Sequence, residues 1–302
     1  MTSVIIPTRN RAALLERVVN AFARQTMTGG GFELIIIDDG STDHTAELLA
    51  RLQRSHSSLR VVHQDHAGVA AARNRGIDVA EGEILLFCDD DMVPARGDFL
   101  ARHASAQRQR CGAFVSRLIV PKALVSTPFH AYWRRKLHRG NARLPDGKML
   151  GQSGFWFATL SLPKRLLAQE RFSSAFHHYG WEDHELGYRL FKRGVRPYYL
   201  KAAEIYHEDA VDFASHLEKY YAMGRSAWTF YHLHPTLQVA VWTGVHPLAR
   251  WYKKMTGIER RAAALKGRGP GEFSDEDYRV CLEAAYLKGV DDHETSFAAK
   301  GR

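Results

Sequence analysis

Carboxylates gather at three places in this chain: Asp38-Asp39, Asp89-Asp90-Asp91 and Glu182-Asp183. The triplet follows five apolar residues, Ile84–Cys88, which read as a buried strand. Three carboxylates at one strand tip repel one another and gain from a compensating cation. Mn²⁺ or Mg²⁺ is the natural partner: both favour hard oxygen ligands, and Mg²⁺ usually shares its shell with substrate phosphates. The same triplet also reads as a solvated acidic turn, with Pro94 as punctuation. Glu182-Asp183 opens a helix-like segment, Trp181–Arg193, where the macrodipole favours ionised carboxylates. Such a group can take a proton from a hydroxyl, or simply cap the helix.

The elements that would position these groups alternate along the first half of the chain. Ser3–Thr8, Phe32–Ile37, Leu59–His63 and Ile84–Cys88 read as strands. Between them, Ala12–Gln25, Thr45–Arg54 and Val69–Ala80 carry helical stripes, with Gly29-Gly30-Gly31 and Gly82 as breaks. This alternation implies right-handed crossovers and a largely parallel sheet. Ligands of such sheets bind beyond the carboxyl ends of the strands. Strand one ends in Pro7-Thr8-Arg9-Asn10, strand two in Asp38-Asp39 and strand four in the triplet, so three polar clusters converge on one edge. Helix capping explains one such cluster more readily than three.

After Pro94 the pattern loosens. Gly112–Pro121, Gly154–Leu162 and Val195–Ile205 read as strands. Lys122–Met149 is basic and aromatic, with turn signals at Arg139-Gly140-Asn141 and Pro145-Asp146-Gly147. From Val211 the pattern is helical, with the aromatic stretch Tyr220–Tyr231 and a linker-like Gly267–Gly271. Two domains are expected, 1–210 and 211–302.

The 302 residues are 45% hydrophobic and 25% charged, the balance of a soluble globular protein. Three widely spaced cysteines, Cys88, Cys111 and Cys281, form neither a disulfide framework nor a zinc pattern, and suit a reducing compartment. No signal peptide is read ahead of Ser3–Pro7, and no apolar run approaches the ~18 residues of a membrane span. The net charge of +9 is uneven. Arg134, Arg135, Lys136, Arg139 and Arg143 cluster without an acid, and Arg250–Arg268 holds seven Lys/Arg against Glu259. Such patches attract phosphates or anionic headgroups, or are plain solvated faces. No zinc-finger or RNA-binding signature is present, so no nucleic-acid partner is expected.

An ordered set of motifs resembles family 2 glycosyltransferases over roughly the first two-thirds of the chain. It comprises Val4-Ile-Ile-Pro-Thr-Arg-Asn10, Ile37-Asp-Asp-Gly-Ser-Thr-Asp43, Ala72-Arg-Asn-Arg-Gly76, Glu81-Gly-Glu83, Phe87-Cys-Asp-Asp-Asp91 with Pro94, and Gly180-Trp-Glu-Asp-His-Glu-Leu186. The resemblance implies a GT-A type, Rossmann-like α/β fold: a mostly parallel sheet flanked by helices, with a C-terminal helical extension. It implies an inverting, metal-dependent transfer of one sugar from a nucleotide-diphosphate donor, UDP-sugars favoured, to an acceptor hydroxyl. The acceptor would be a glycan, a lipid-linked molecule or a small molecule.

Residue by residue, Pro7, Thr8 and Arg9 would wrap the base, Asp39 would accept from a base N–H, and Gly68 would permit close backbone approach. Asp39 is also open to a capping role. Arg73 would pair with phosphate or with one of the aspartates. Asp91 would ligate Mn²⁺ or Mg²⁺, and Asp89 or Asp90 would hold the ribose. His207, in Tyr206-His-Glu208, resembles a further metal ligand and is equally readable as structural. Asp183 matches the family's general base, Glu182 would orient acceptor hydroxyls, and Trp181 would stack on a sugar or join the core.

Processive synthases of the family carry Gln-x-x-Arg-Trp and membrane spans. Here Arg250-Trp251 is preceded by Pro247 where the Gln would stand, so a non-processive enzyme is expected. The expected location is cytoplasmic, with peripheral contact at the inner membrane face through the basic run after Arg250. A sugar nucleotidyltransferase is the alternative, disfavoured because Val4–Asn10 lacks the Gly-rich loop a triphosphate needs; an inactive nucleotide-sugar-binding scaffold is another.

Overall fold

The structure, a computed structural model, describes residues 1–27, 30–141, 144–209 and 211–300. Gly29 and Arg143, singled out above, lie outside the described residues. The chain divides into two compact units. One comprises Met1–Leu124, Leu137–Ser173 and Asp183–Asp209; the other comprises Val125–Lys136, Ser174–Glu182 and the chain after Asp209.

In chain order the first elements are β1 (Thr2–Thr8), α1 (Ala12–Ala23), β2 (Phe32–Asp39), α2 (Thr45–Ser55), β3 (Leu59–Gln64), α3 (Val69–Val79) and β4 (Ile84–Cys88). There follow β5 (Met92–Pro94), α4 (Phe99–Gln109), β6 (Ala113–Ile119), α5 (Pro128–Asn141), β7 (Thr159–Pro163), α6 (Glu182–Lys192) and β8 (Pro197–His207). Among the described residues, eight strands form one sheet, in the order β3-β2-β1-β4-β7-β6-β8-β5.

The first four strands are parallel, with Val4 opposite both Leu34 and Leu86. Side chains alternate across this sheet, and both faces are covered. Val4, Ile6, Leu34 and Ile36 pack with Leu15, Val18, Val19 and Phe22 of α1. Ile5, Ile35 and Ile37 pack on the other face with Ala70, Ala72 and Ile77 of α3 and Leu186 and Leu190 of α6. Burial on both faces is why these strands read as unbroken apolar runs.

The second half of the sheet is mixed rather than mostly parallel. β7 runs antiparallel to both β4 and β6, and β5 antiparallel to β8. The segment expected as a strand from Gly154 enters the sheet only at Thr159, after a 3₁₀ turn at Gln152–Gly154. An apolar run specifies a buried strand but not its direction. α4 was not read from the sequence, and the turn expected at Arg139-Gly140-Asn141 lies inside α5.

The second unit is helical. It contains α7 (Phe213–Leu233), α8 (Leu237–Trp242), α9 (Pro247–Met255), α10 (Ile258–Ala264) and α11 (Asp275–Lys300). α7 and α11 approach closely at Gly224, where an added Cβ would stand 2.1 Å from the Tyr286 carbonyl oxygen. Only glycine permits that approach. Of the aromatic stretch, Phe230 is buried, and Tyr220, Trp228 and Tyr231 pack in this unit's core. Within the linker-like segment, Pro270–Glu272 forms a 3₁₀ turn.

Candidate active site

The parallel register brings the carboxyl ends of β1, β2 and β4 together. The Thr8 hydroxyl donates to Asp90 Oδ2 at 2.7 Å, joining the tips of β1 and β4. Burial pushes Asp90 up to about 7, against the pull of the Thr8 hydroxyl and the Arg11 guanidinium; Asp91 and Asp89 add to the rise. A carboxyl so placed gains from any cation brought beside it.

The chain leaves β4 through the triplet and re-enters the sheet as β5. Met92 then pairs with His207, and the Asp91 carbonyl accepts the Glu208 N–H at 2.9 Å. This short strand sets Asp91 Oδ2 3.6 Å from His207 Nε2. Two donors on one octahedral ion, each about 2.1 Å from it, stand roughly 3 Å apart, so small movements would let this pair share an ion. Among the described residues, no group of three or more His, Cys, Asp or Glu is arranged to hold a metal. A carboxylate oxygen and an imidazole nitrogen are donors that Mn²⁺ or Mg²⁺ accepts beside phosphate oxygens and water.

Sequence reasoning missed Arg11. Its Nη2 lies 3.0 Å from Asp209 Oδ2 and 3.4 Å from Asp91 Oδ2, and its Nε lies 3.4 Å from Asp90 Oδ1. A guanidinium thus neutralises much of the acidic cluster. One signal was available. Arg11 is the N-cap residue of α1, whose first turn holds no acid. A cation at that positive helix end is unfavourable unless acids from elsewhere face it. Asp209, two residues beyond His207, was missed with it.

Asp39 ends β2 and anchors the 64–68 loop. It accepts from Gln64 Nε2 at 2.7 Å, Ala67 N–H at 2.8 Å and Gly68 N–H at 2.9 Å, and pairs with His66 Nδ1 at 2.7 Å. Burial raises its pKa, but these donors outweigh burial and hold it below the usual carboxylate value. Gly68, at φ +91°, precedes α3 in a backbone conformation that favours glycine. Asp39 does not cap α2; the Asp43 carboxylate accepts the Thr45 N–H at 3.0 Å. Pro7 lies within β1, and Arg9, exposed, meets His66 Nε2 at 3.1 Å.

Arg73 is buried on α3 and donates through Nη2 to Asp89 Oδ1 at 2.9 Å. Its guanidinium also sits 5.4 Å from the Phe172 ring centre. Arg73 further acts on Asp183, in the first turn of α6. Burial raises the Asp183 pKa, but the His184 imidazole and the Arg73 charge outweigh burial and hold it below the usual range. His184 N–H donates to Asp183 Oδ1 at 2.7 Å. Asp183 is therefore ionised at neutral pH.

Glu182 is buried at the start of α6. Trp181 has φ +73°, a strained region for a bulky residue. Its ring centre lies 5.8 Å from that of Phe230 and 5.7 Å from that of Trp242, within the second unit's core.

Residues 3–161, more than half of the chain, match the model for Glycosyl transferase family 2. The chain belongs to this family. It is 32% identical over 226 residues to validoxylamine A glucosyltransferase of Streptomyces hygroscopicus subsp. jinggangensis (strain 5008), covering 65% of this chain and 52% of that protein. It is 42% identical over 106 residues to the PGL/p-HBAD biosynthesis glycosyltransferase of Mycobacterium bovis (strain BCG / Pasteur 1173P2), covering 35% of this chain and 41% of that protein. The chain thus spans about half the length, or less, of these curated relatives.

Among solved structures, the mannosyltransferase PcManGT from Pyrobaculum calidifontis in complex with GDP-Man and Mn²⁺ aligns with a TM-score of 0.64 at 17% identity. That alignment covers 96% of this chain and 86% of the other. S. aureus TarS 1-349 in complex with UDP aligns with a TM-score of 0.56 at 17% identity, over 100% and 92% of the two chains. These likenesses show the fold, which is GT-A-like, a mixed sheet flanked by helices with C-terminal helices beyond it. Family membership sets aside the nucleotidyltransferase alternative.

Proposed function

We propose that this glycosyltransferase moves one sugar from a nucleotide-diphosphate sugar, UDP-sugars favoured, to an acceptor hydroxyl with inversion at the anomeric carbon. The observation that carries the reading is the Asp91–His207 pair, 3.6 Å apart at the carboxyl edge of the sheet beside Asp89 and Asp90. Asp91 and His207 would hold Mn²⁺ or Mg²⁺. When bound, the ion supplies positive charge to the diphosphate leaving group. That GDP-Man with Mn²⁺, and UDP, are held by proteins of similar fold supports this part of the reading.

The remaining roles fall to the chain's own side chains. Pro7, Thr8 and Arg9 line the base, and Asp39 takes a base N–H by exchanging one donor of the 64–68 loop. Gly68 leaves room for that base. Asp89 or Asp90 receives the ribose hydroxyls, and Arg73 keeps Asp89 in place at 2.9 Å. Asp183, ionised, removes the acceptor proton as the hydroxyl attacks from the face opposite the nucleotide. Glu182 and Trp181 orient the acceptor, a glycan, lipid-linked or small molecule. Residues 1–210 would carry donor binding and catalysis, and 211–302 the acceptor side or an interface.

A thermal-shift panel of nucleotide sugars tests the reading, because a ligand of the native state raises the melting temperature. A rise with one UDP-sugar that needs Mn²⁺ is the expected result. No rise with any nucleotide sugar contradicts it. Inversion is checked separately, from the anomeric configuration of the product by NMR.

A further inference from the structure

An ordinary surface helix buries its apolar stripe and exposes its charges. α9 does the reverse. It has no buried residue, and Leu248, Trp251, Tyr252 and Met255 are 69%, 61%, 67% and 68% exposed. At 100° per residue, these four positions fall within an arc of about 100°. The basic side chains occupy the opposite arc and are tied inward. Arg250 Nη1 lies 3.5 Å and Lys254 Nζ 2.7 Å from the Asp291 carboxylate on α11. Lys253 stands 5.8 Å from the Tyr286 ring centre, and Arg250 5.9 Å from that of Trp228. Anchored by its cations, the helix presents its apolar stripe outward.

We propose that α9 seats the protein on an anionic lipid bilayer. The stripe combines Leu and Met with Trp and Tyr, side chains that suit the boundary between headgroups and acyl chains. Of the seven Lys/Arg between Arg250 and Arg268, five meet acids or rings of this chain: Arg250, Lys253 and Lys254 as above, Arg261 with Glu276 and Arg268 with Glu272 and Asp277. Arg260 and Lys266, just beyond α9, are exposed and available to lipid phosphates. Among the described residues no helix is long and apolar enough to cross a membrane.

The test is co-sedimentation of the full chain with vesicles of phosphatidylcholine plus phosphatidylglycerol, against phosphatidylcholine alone. The wild type pellets with the anionic vesicles and is released by salt. The double variant Leu248→Glu, Tyr252→Glu binds at least about tenfold more weakly, a difference of ~1.4 kcal/mol or more. Its melting temperature stays unchanged, because both side chains are exposed. Quenching of tryptophan fluorescence by brominated acyl chains, lost in Trp251→Phe, identifies the inserted ring. Absence of pelleting with anionic vesicles overturns the proposal, as does equal pelleting of the double variant. So does light scattering that finds a dimer split by the double variant when neither protein binds vesicles. None of these readouts needs a sugar donor, so they stand or fall apart from the catalytic reading.

Discussion

Asp91 Oδ2 lies 3.6 Å from His207 Nε2, and a strand of three residues sets that distance. Pairing of Met92 with His207 fixes the register, and the Asp91 carbonyl accepts the Glu208 N–H at 2.9 Å. Both ends of the pair are thus held by backbone. His207→Ala should weaken Mn²⁺ binding in the presence of UDP by about tenfold or more, since even outer partners of a metal ligand cost that much. Titration calorimetry of the metal checks this; an unchanged Mn²⁺ affinity would assign His207 a structural role.

Asp183 is held ionised beside Arg73 and His184. Asp183→Asn keeps the shape and removes the base. It should lower kcat by about 10²–10⁴-fold, the usual worth of a general base. UDP affinity in the presence of Mn²⁺ should not change. Full turnover in this variant would move the base elsewhere.

Arg11 stands among Asp90, Asp91 and Asp209 as a cation built into the chain. Arg11→Ala leaves these carboxylates to repel one another. It should destabilise the metal-free protein by about 1.5–3 kcal/mol, the range for hydrogen bonds to charged groups. Mn²⁺ should raise the melting temperature of the variant more than that of the wild type, because an added cation replaces the missing charge. Equal shifts would show that Arg11 does not compensate the cluster.

His103 on α4 is fully buried between Ser161 Oγ at 2.8 Å and Ser116 Oγ at 2.9 Å, tying β7 to β6. Burial lowers its pKa from 6.5 to about 3. As pH falls, the unfolded chain therefore takes up this proton first. Stability declines below pH ~6.5 by about 1.4 kcal/mol per pH unit and levels off only near the folded pKa. Glutamine keeps a donor and an acceptor but does not titrate. Urea unfolding at pH 7 and pH 5 should show a smaller acid loss in His103→Gln than in the wild type; parallel losses would contradict the assignment.

What could be read from the sequence follows from burial. β1, β2 and β4 are covered on both faces and so appear as plain apolar runs, and their polar tips pointed to one edge. α4 escaped notice because its inward face includes His103, Ala104 and Ala106 beside Phe99 and Leu100. β5 is too short to carry a period, yet it aligns Asp91 with His207. The direction of β7 depends on contacts with β4 and β6 that no local pattern encodes. Segments Val125–Lys136 and Ser174–Glu182 join the helices after Asp209 in space, which chain order alone does not reveal. Arg11 was legible only through its awkward position at a helix N-terminus.

Calorimetric titration of UDP into the pure protein tests the central claim most directly. With Mn²⁺ present the wild type should bind; chelation of the metal should abolish that binding, and Asp91→Ala should weaken it by about tenfold or more. No heat with UDP or with any UDP-, GDP- or dTDP-linked sugar would contradict the account. So would an affinity indifferent both to chelation and to Asp91→Ala.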